Sequence, residues 1–67
     1  MNEPKFPHIE VQLTGVDGNA FSVMGTVTRA MKRDPEAKLL VNDFMEEAMS
    51  GDYDHLLQTC TKWVEVV

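Results

Sequence analysis

Residues 13–25, LTGVDGNAFSVMG, decide how this chain is read. An alternating apolar stretch runs into Gly15 and Gly18, and a helical pattern follows at once. Strand, glycine corner and helix is also the layout of phosphate-binding loops, so two readings compete. A Walker-type loop needs G-x-x-x-x-G-K-[ST], in which the lysine meets the phosphate charge. Here the glycines stand three apart, no lysine follows, and Asp17 sets a negative charge where an anion would sit. The stretch therefore reads as a tight corner with a helix cap, both glycines supplying the positive φ that a corner needs. Only the backbone N–H groups at the start of the helix, beside Asn19, keep the capacity to hold a small anion.

Upstream of the corner, Ile9, Val11 and Leu13 alternate with Glu10, Gln12 and Thr14, which predicts a strand from His8 with one wet face. Residues 1–7, MNEPKFP, carry two prolines and no period, and read as a flexible arm from which Phe6 can still pack onto the domain of residues 8–67. Downstream, Asn19 is a suitable N-cap. Phe21, Met24, Val27 and Met31, with Ala20, Val23 and Ala30 beside them, predict a first helix over 19–33. Gly25 inside it costs up to about 1 kcal/mol against alanine, which predicts close approach of the strand or of a partner chain. Asp34, Pro35 and Glu36 open a second helix over 35–49, with Leu40, Val41, Phe44, Met45 and Ala48 as its apolar face. Gly51 reads as its left-handed stop. Asp52 caps a third helix whose stripe is Tyr53, Leu56, Leu57, Cys60 and Val64, with Trp63 alongside, and WVEVV (63–67) peels off into a short strand.

The order is β-α-α-α-β, an α+β domain with two short terminal strands packed with three helices. A chain of 67 residues makes one domain and buries roughly 60% of its unfolded surface. Two strands alone are marginal in water, and an uncovered edge invites another chain, so a homo-oligomer is expected. The single cysteine, Cys60, excludes an internal disulfide and suits a reducing compartment. No basic-then-apolar leader opens the sequence, and no apolar run approaches the ~18 residues of a membrane span. A soluble, cytoplasmic protein is the expectation. Net charge −5 works against non-specific nucleic-acid binding.

Arg29, Lys32 and Arg33 fall at i, i+3 and i+4 on one helix face, with Lys38 near the same pole if the first two helices pack antiparallel. They offset the helix dipole and also form a grip for a phosphate-bearing ligand. The opposite pole collects Asp17, Glu46, Glu47, Asp52 and Asp54. Glu46 and Glu47 sit in a closing turn, where acids face the negative dipole end, and a cationic partner surface would explain them. His55 beside Asp52 and Asp54 resembles a general base, yet no Ser or Cys nucleophile is paired with it by spacing. His55 and Cys60 lie about 140° apart on a helix, so with His8 they make no metal set, and no cofactor is expected. Met24, Met31, Met45 and Met49 suit both a core and an adaptable surface. Tyr53 and Trp63 are common interface anchors, Trp63 being the first choice for a subunit contact.

DGNAFSVMG (17–25) and SGDYDHLLQTC (50–60), closing on WVEV (63–66), resemble short proteins encoded by tailed bacteriophages and prophages. The resemblance spans about Ile9 to Val66 and carries over no activity and no site residue. It implies a setting, a phage accessory product inside a bacterium, where small proteins often block a host protein or oligomerise and sequester nucleotide immune signals. The expectation is a non-enzymatic, oligomeric counter-defence factor that captures a nucleotide-type anion through Arg29, Lys32 and Arg33 or blocks a host protein. The alternative is a protein–protein inhibitor or adaptor that uses an acidic or Met/Trp surface and no small ligand.

Overall fold

The structure is a computed structural model that describes residues 3–13, 15 and 18–67. Its elements are β1 (Phe6–Val11), α1 (Ala20–Met31), a 3₁₀ turn (Ala37–Leu40), α2 (Val41–Ala48), α3 (Tyr53–Trp63) and β2 (Val64–Val66). The β-α-α-α-β order of an α+β domain is the one expected. The two strands pair in parallel. A parallel pair cannot be closed by a hairpin and needs a long crossover, which the three helices supply.

The alternation in β1 works as expected at Ile9 and Val11, which are buried, and at Glu10, which is exposed. The strand begins earlier than expected, however, and ends at Val11, leaving Gln12 and Leu13 outside it. Phe6 is buried and opposite Val64, and the Lys5 N–H donates to the Lys62 carbonyl at 2.8 Å. The register then jumps from Phe6↔Val64 to Glu10↔Glu65. Pro7 lies in that jump, where its missing N–H withdraws nothing from the ladder.

Asn19 caps α1 by accepting the Phe21 N–H at 2.8 Å. Val23, Met24, Val27, Thr28 and Met31 form the buried face. Gly25 does not serve the close approach expected of it: beyond its chain neighbours and the backbone of its own helix, no described atom lies within 4 Å of where its Cβ would stand. The second helix is not continuous. The Asp34 carboxylate accepts the N–H groups of Glu36 (3.0 Å) and Ala37 (2.8 Å), and the Asp34 carbonyl accepts that of Lys38 (3.0 Å). These bonds wind a tight turn with Ala37 inward and Leu39 outward, and regular α geometry starts only at Val41.

Asp52 caps α3 by accepting the His55 N–H at 2.9 Å. Gly51 is not the left-handed stop expected. Among the described residues only Gly15 has positive φ, at 86°, and Gly18 does not use that freedom either. At Gly51 the constraint is steric, since a Cβ would meet His55 Cγ at 2.7 Å. Thr14, Val16 and Asp17, expected in the corner, lie outside the described residues.

The core is sealed where α3 becomes β2. Trp63 packs edge-on to Phe44 (5.7 Å between ring centroids) and tilted against Phe6 (6.2 Å), with Lys5 Nζ 4.4 Å above its ring. Phe44, Met31, Val27 and Val64 are fully enclosed, as is Thr59, whose hydroxyl donates to the His55 carbonyl at 2.7 Å. Among the described residues no helix is long and apolar enough to cross a membrane.

The two glycines give opposite expectations. Gly25→Ala raises the urea midpoint, by up to about 1 kcal/mol of stability, because the new methyl meets open space. Gly51→Ala lowers it, because the methyl collides with the His55 ring.

Candidate functional site

The charged and apolar side chains of interest gather at two opposite ends of the helices. At one end, the start of α1 faces the turn between α2 and α3. Ala20, Phe21 and Met24 line one wall of a groove of about 230 Å³, and Ala48, Met49, Tyr53 and Leu56 line the other, with Gly51 and Asp52 between. Phe21 is 75% exposed, Met49 61% and Tyr53 40%. Three large apolar side chains thus surround one depression instead of being scattered singly. Contiguous exposed apolar surface of this kind marks interaction sites.

A hydrogen-bonded clasp closes the turn that carries Gly51 and Asp52 into the groove. His55 Nε2 lies 2.9 Å from the Glu47 carbonyl and 3.0 Å from Ser50 Oγ, and Ser50 Oγ donates to the same carbonyl at 2.6 Å. A carbonyl only accepts, so Nε2 carries the proton. Structure therefore brings a serine to His55 that spacing did not pair with it. The nitrogen facing that serine is a donor, so the Ser50–His55 contact in this geometry closes the end of α2 and does not activate a nucleophile. Asp52 bonds the His55 backbone and is occupied as a cap.

Glu46 and Glu47 line a second depression with Asp43 and Ser50, residues that alternate along the chain with the groove's Ala48, Met49 and Gly51. Asp43 was not anticipated, although its i, i+3, i+4 spacing to Glu46 and Glu47 was legible. Phe21 was assigned to the core stripe. On the helix it lies about 20° from the buried Thr28 and about 60° from the buried Met24, so its angle does not announce its exposure; that comes from its place in the first turn of α1, facing the α2–α3 turn. Met45 is half-buried against the core. Trp63, expected at a subunit contact, is 4% exposed; its ring is covered by Phe6, Phe44 and Lys5, which leaves almost none of it for a second chain.

At the other end, Arg29 and Arg33 share a shallow cleft of about 190 Å³ with Glu10, Gln12 and Thr26. Lys32 and Lys38 do not line it, and Lys38 stands exposed in the 3₁₀ turn. Asn19 is at the opposite end of α1, its side chain committed to the Phe21 N–H. Of the five residues proposed for an anion, the fold joins Arg29 and Arg33, and it places the Glu10 carboxylate beside them. Nearby, His8 Nε2 meets Asp34 Oδ1 at 2.7 Å. The Ala37 N–H, and after it the His8 imidazole, hold the Asp34 carboxyl below its ordinary value.

Burial pushes the Cys60 thiol up to about 11, which keeps it protonated and unreactive at neutral pH. Among the described residues no three His, Cys, Asp or Glu side chains gather as a metal site. Comparison with protein-family models, curated proteins and solved structures finds no match for this chain.

Two outcomes follow from these environments. Because Asp34 binds its proton less readily folded than unfolded, its contribution to stability is present above the ordinary carboxylate pKa and is lost as pH falls through the depressed value. Urea titrations across the acid range therefore show a shallower loss of stability in Asp34→Ala than in the parent. Cys60 resists alkylation by iodoacetamide in the native protein and reacts at the rate of global unfolding; rapid labelling without denaturant contradicts this.

Proposed function

We propose that this chain is a small phage-encoded binding protein that acts by occupancy, blocking a host protein in the bacterial cytoplasm. The observation that carries the reading is the convergence of Phe21, Met49 and Tyr53 on one groove. A domain this small needs every apolar contact it can make. Large apolar side chains left in water beside a rigid turn suit a preformed docking face, whose anchors tend to be aromatic residues surrounded by a water-excluding rim. The phage setting rests on the DGNAFSVMG and SGDYDHLLQTC blocks, and it makes a host counter-defence target the natural partner.

A second reading has its own support. Arg29 and Arg33 on one cleft present two guanidinium forks, the geometry that clasps phosphate oxygens bidentately. In that version a homo-oligomer captures a nucleotide-type anion between subunits. Glu10 in the same cleft weighs against it.

Native mass spectrometry of tagged protein recovered from infected host cells separates the two. A heteromeric complex lost in Met49→Asp and retained in the Arg29→Ala, Arg33→Ala double variant is the expected result. A co-purified anion that disappears only in the arginine variant establishes the second reading and overturns the first.

A further inference from the structure

We infer that the occupant of the Phe21/Met49/Tyr53 groove is a cationic segment of a partner protein, a bulky apolar side chain flanked by lysine or arginine. This rests on the docking-face reading above and adds the chemistry of what docks. Charge placement singles out this occupant. Every residue that lines the groove comes from 20–24 or 48–56. Neither stretch holds a lysine or arginine, and the longer runs 12–28 and 39–61 hold none either. The second run carries Asp43, Glu46, Glu47, Asp52 and Asp54.

The fold sharpens this separation. Lys5, Arg29, Lys32, Arg33, Lys38 and Lys62 account for all the lysines and arginines. Arg29 and Lys62 stand nine positions beyond Ala20 and Tyr53, the groove-facing ends of their helices, which is about 13 Å of helical rise. Lys38 precedes α2, whose other end reaches the groove, and Lys5 is stacked over Trp63 at the far end of α3. Among the described residues the rim is therefore acidic, with no lysine or arginine of its own to neutralise it. Asp52 lines the groove, and Glu47, the chain neighbour of the groove's Ala48, lines a second depression. Asp54 is exposed in the first turn of α3, next to Tyr53.

The same placement decides against a second copy of this chain. An isologous dimer sets each surface patch against itself, so two acidic rims would meet as the groove closed. Like charges brought together at an interface suppress pairing. A cationic segment has the opposite balance: its apolar side chain displaces water from between Phe21, Met49 and Tyr53 while its charges reach the rim, and the rim's field speeds encounter at low salt.

The test is selection of a displayed random peptide library on the immobilised full chain, followed by fluorescence anisotropy with the enriched peptides. Enriched peptides are expected to pair a Leu, Phe, Met or Trp with lysine or arginine. Their affinity should fall about tenfold or more in Met49→Asp and in Glu47→Lys/Asp54→Lys, and should weaken steeply between ~0.05 and ~0.3 M salt. Arg29→Ala/Arg33→Ala should leave it unchanged. Peptides without basic residues, sensitive to Met49→Asp but indifferent to the charge reversal, keep the docking face and overturn the cationic occupant. No enrichment, or peptides indifferent to Met49→Asp, overturns both. A concentration-dependent dimer in sedimentation that dissociates in Phe21→Asp assigns the groove to a second copy and overturns the inference. Circular dichroism of each variant, matching the parent, ties any loss to the surface and not to unfolding.

Discussion

The packing of Trp63 between Phe6 and Phe44 is the constraint on which the remaining structure depends. Phe6 opens β1 and Trp63 closes α3, so this contact joins elements separated by nearly the whole described chain. It also sets the register. With Trp63 held against Phe6, the next residue, Val64, falls opposite Phe6, and the Lys5 N–H reaches the Lys62 carbonyl. A two-stranded parallel sheet has little stability of its own; here it is drawn together by the aromatic rings and by Val64, Phe6's partner in the ladder, which is fully buried. Removing a ring of this kind typically costs about 3–5 kcal/mol, a large share of what a small domain possesses.

The other end of the helices is organised differently, by hydrogen bonds more than by volume. Asn19 and Asp52 cap α1 and α3, and the His55–Ser50–Glu47 clasp closes α2. Each bond satisfies backbone groups that a helix end leaves open. Together they fix a turn whose apolar neighbours face outward. The domain thus has an aromatic seal at one end and a polar, capped scaffold at the other, and the apolar groove lies at the second.

Much of this was legible in the residues. Period-two alternation from Ile9 to Leu13, the caps Asn19, Asp34 and Asp52, and the apolar faces of the helices follow from local chemistry, and local chemistry is what a sequence writes most directly. What was misjudged depends on contacts between distant segments. Gly51 looks like a left-handed stop, since that is glycine's commonest role after a helix; its actual reason is the His55 ring folding back over it. Trp63 looks like an interface anchor until Phe6, from a segment assigned to a loose arm, covers it. The direction of strand pairing had no local signal. At the candidate site, Met49 and Tyr53 are residue types that suit a surface, Phe21 keeps both the spacing and nearly the angle of the core stripe yet stands exposed in the first turn of α1, and of the five residues proposed for an anion Asn19 lies at the opposite end of α1 from Arg29.

Phe21 brings these strands of reasoning to one point. It sits in the first turn of α1, where phenylalanine is a poorer helix former than alanine by several tenths of a kcal/mol. Its exposed ring adds little to the core, and burying a phenylalanine elsewhere contributes about 1.5–3 kcal/mol. Folding alone therefore gives no reason for a ring in that place. Met49 and Tyr53 present the same imbalance across the groove, each exposed beside a turn that four hydrogen bonds already hold. A local choice that works against stability with no compensation inside the chain points to compensation outside it. The acidic rim points the same way, because Glu46 and Glu47 oppose the dipole at the end of α2 and no lysine or arginine lies between residues 39 and 61 to relieve them. Apolar exposure and unrelieved negative charge are separate costs. Their meeting at one rigid turn is more economically explained by one surface that relieves both than by two unrelated accidents.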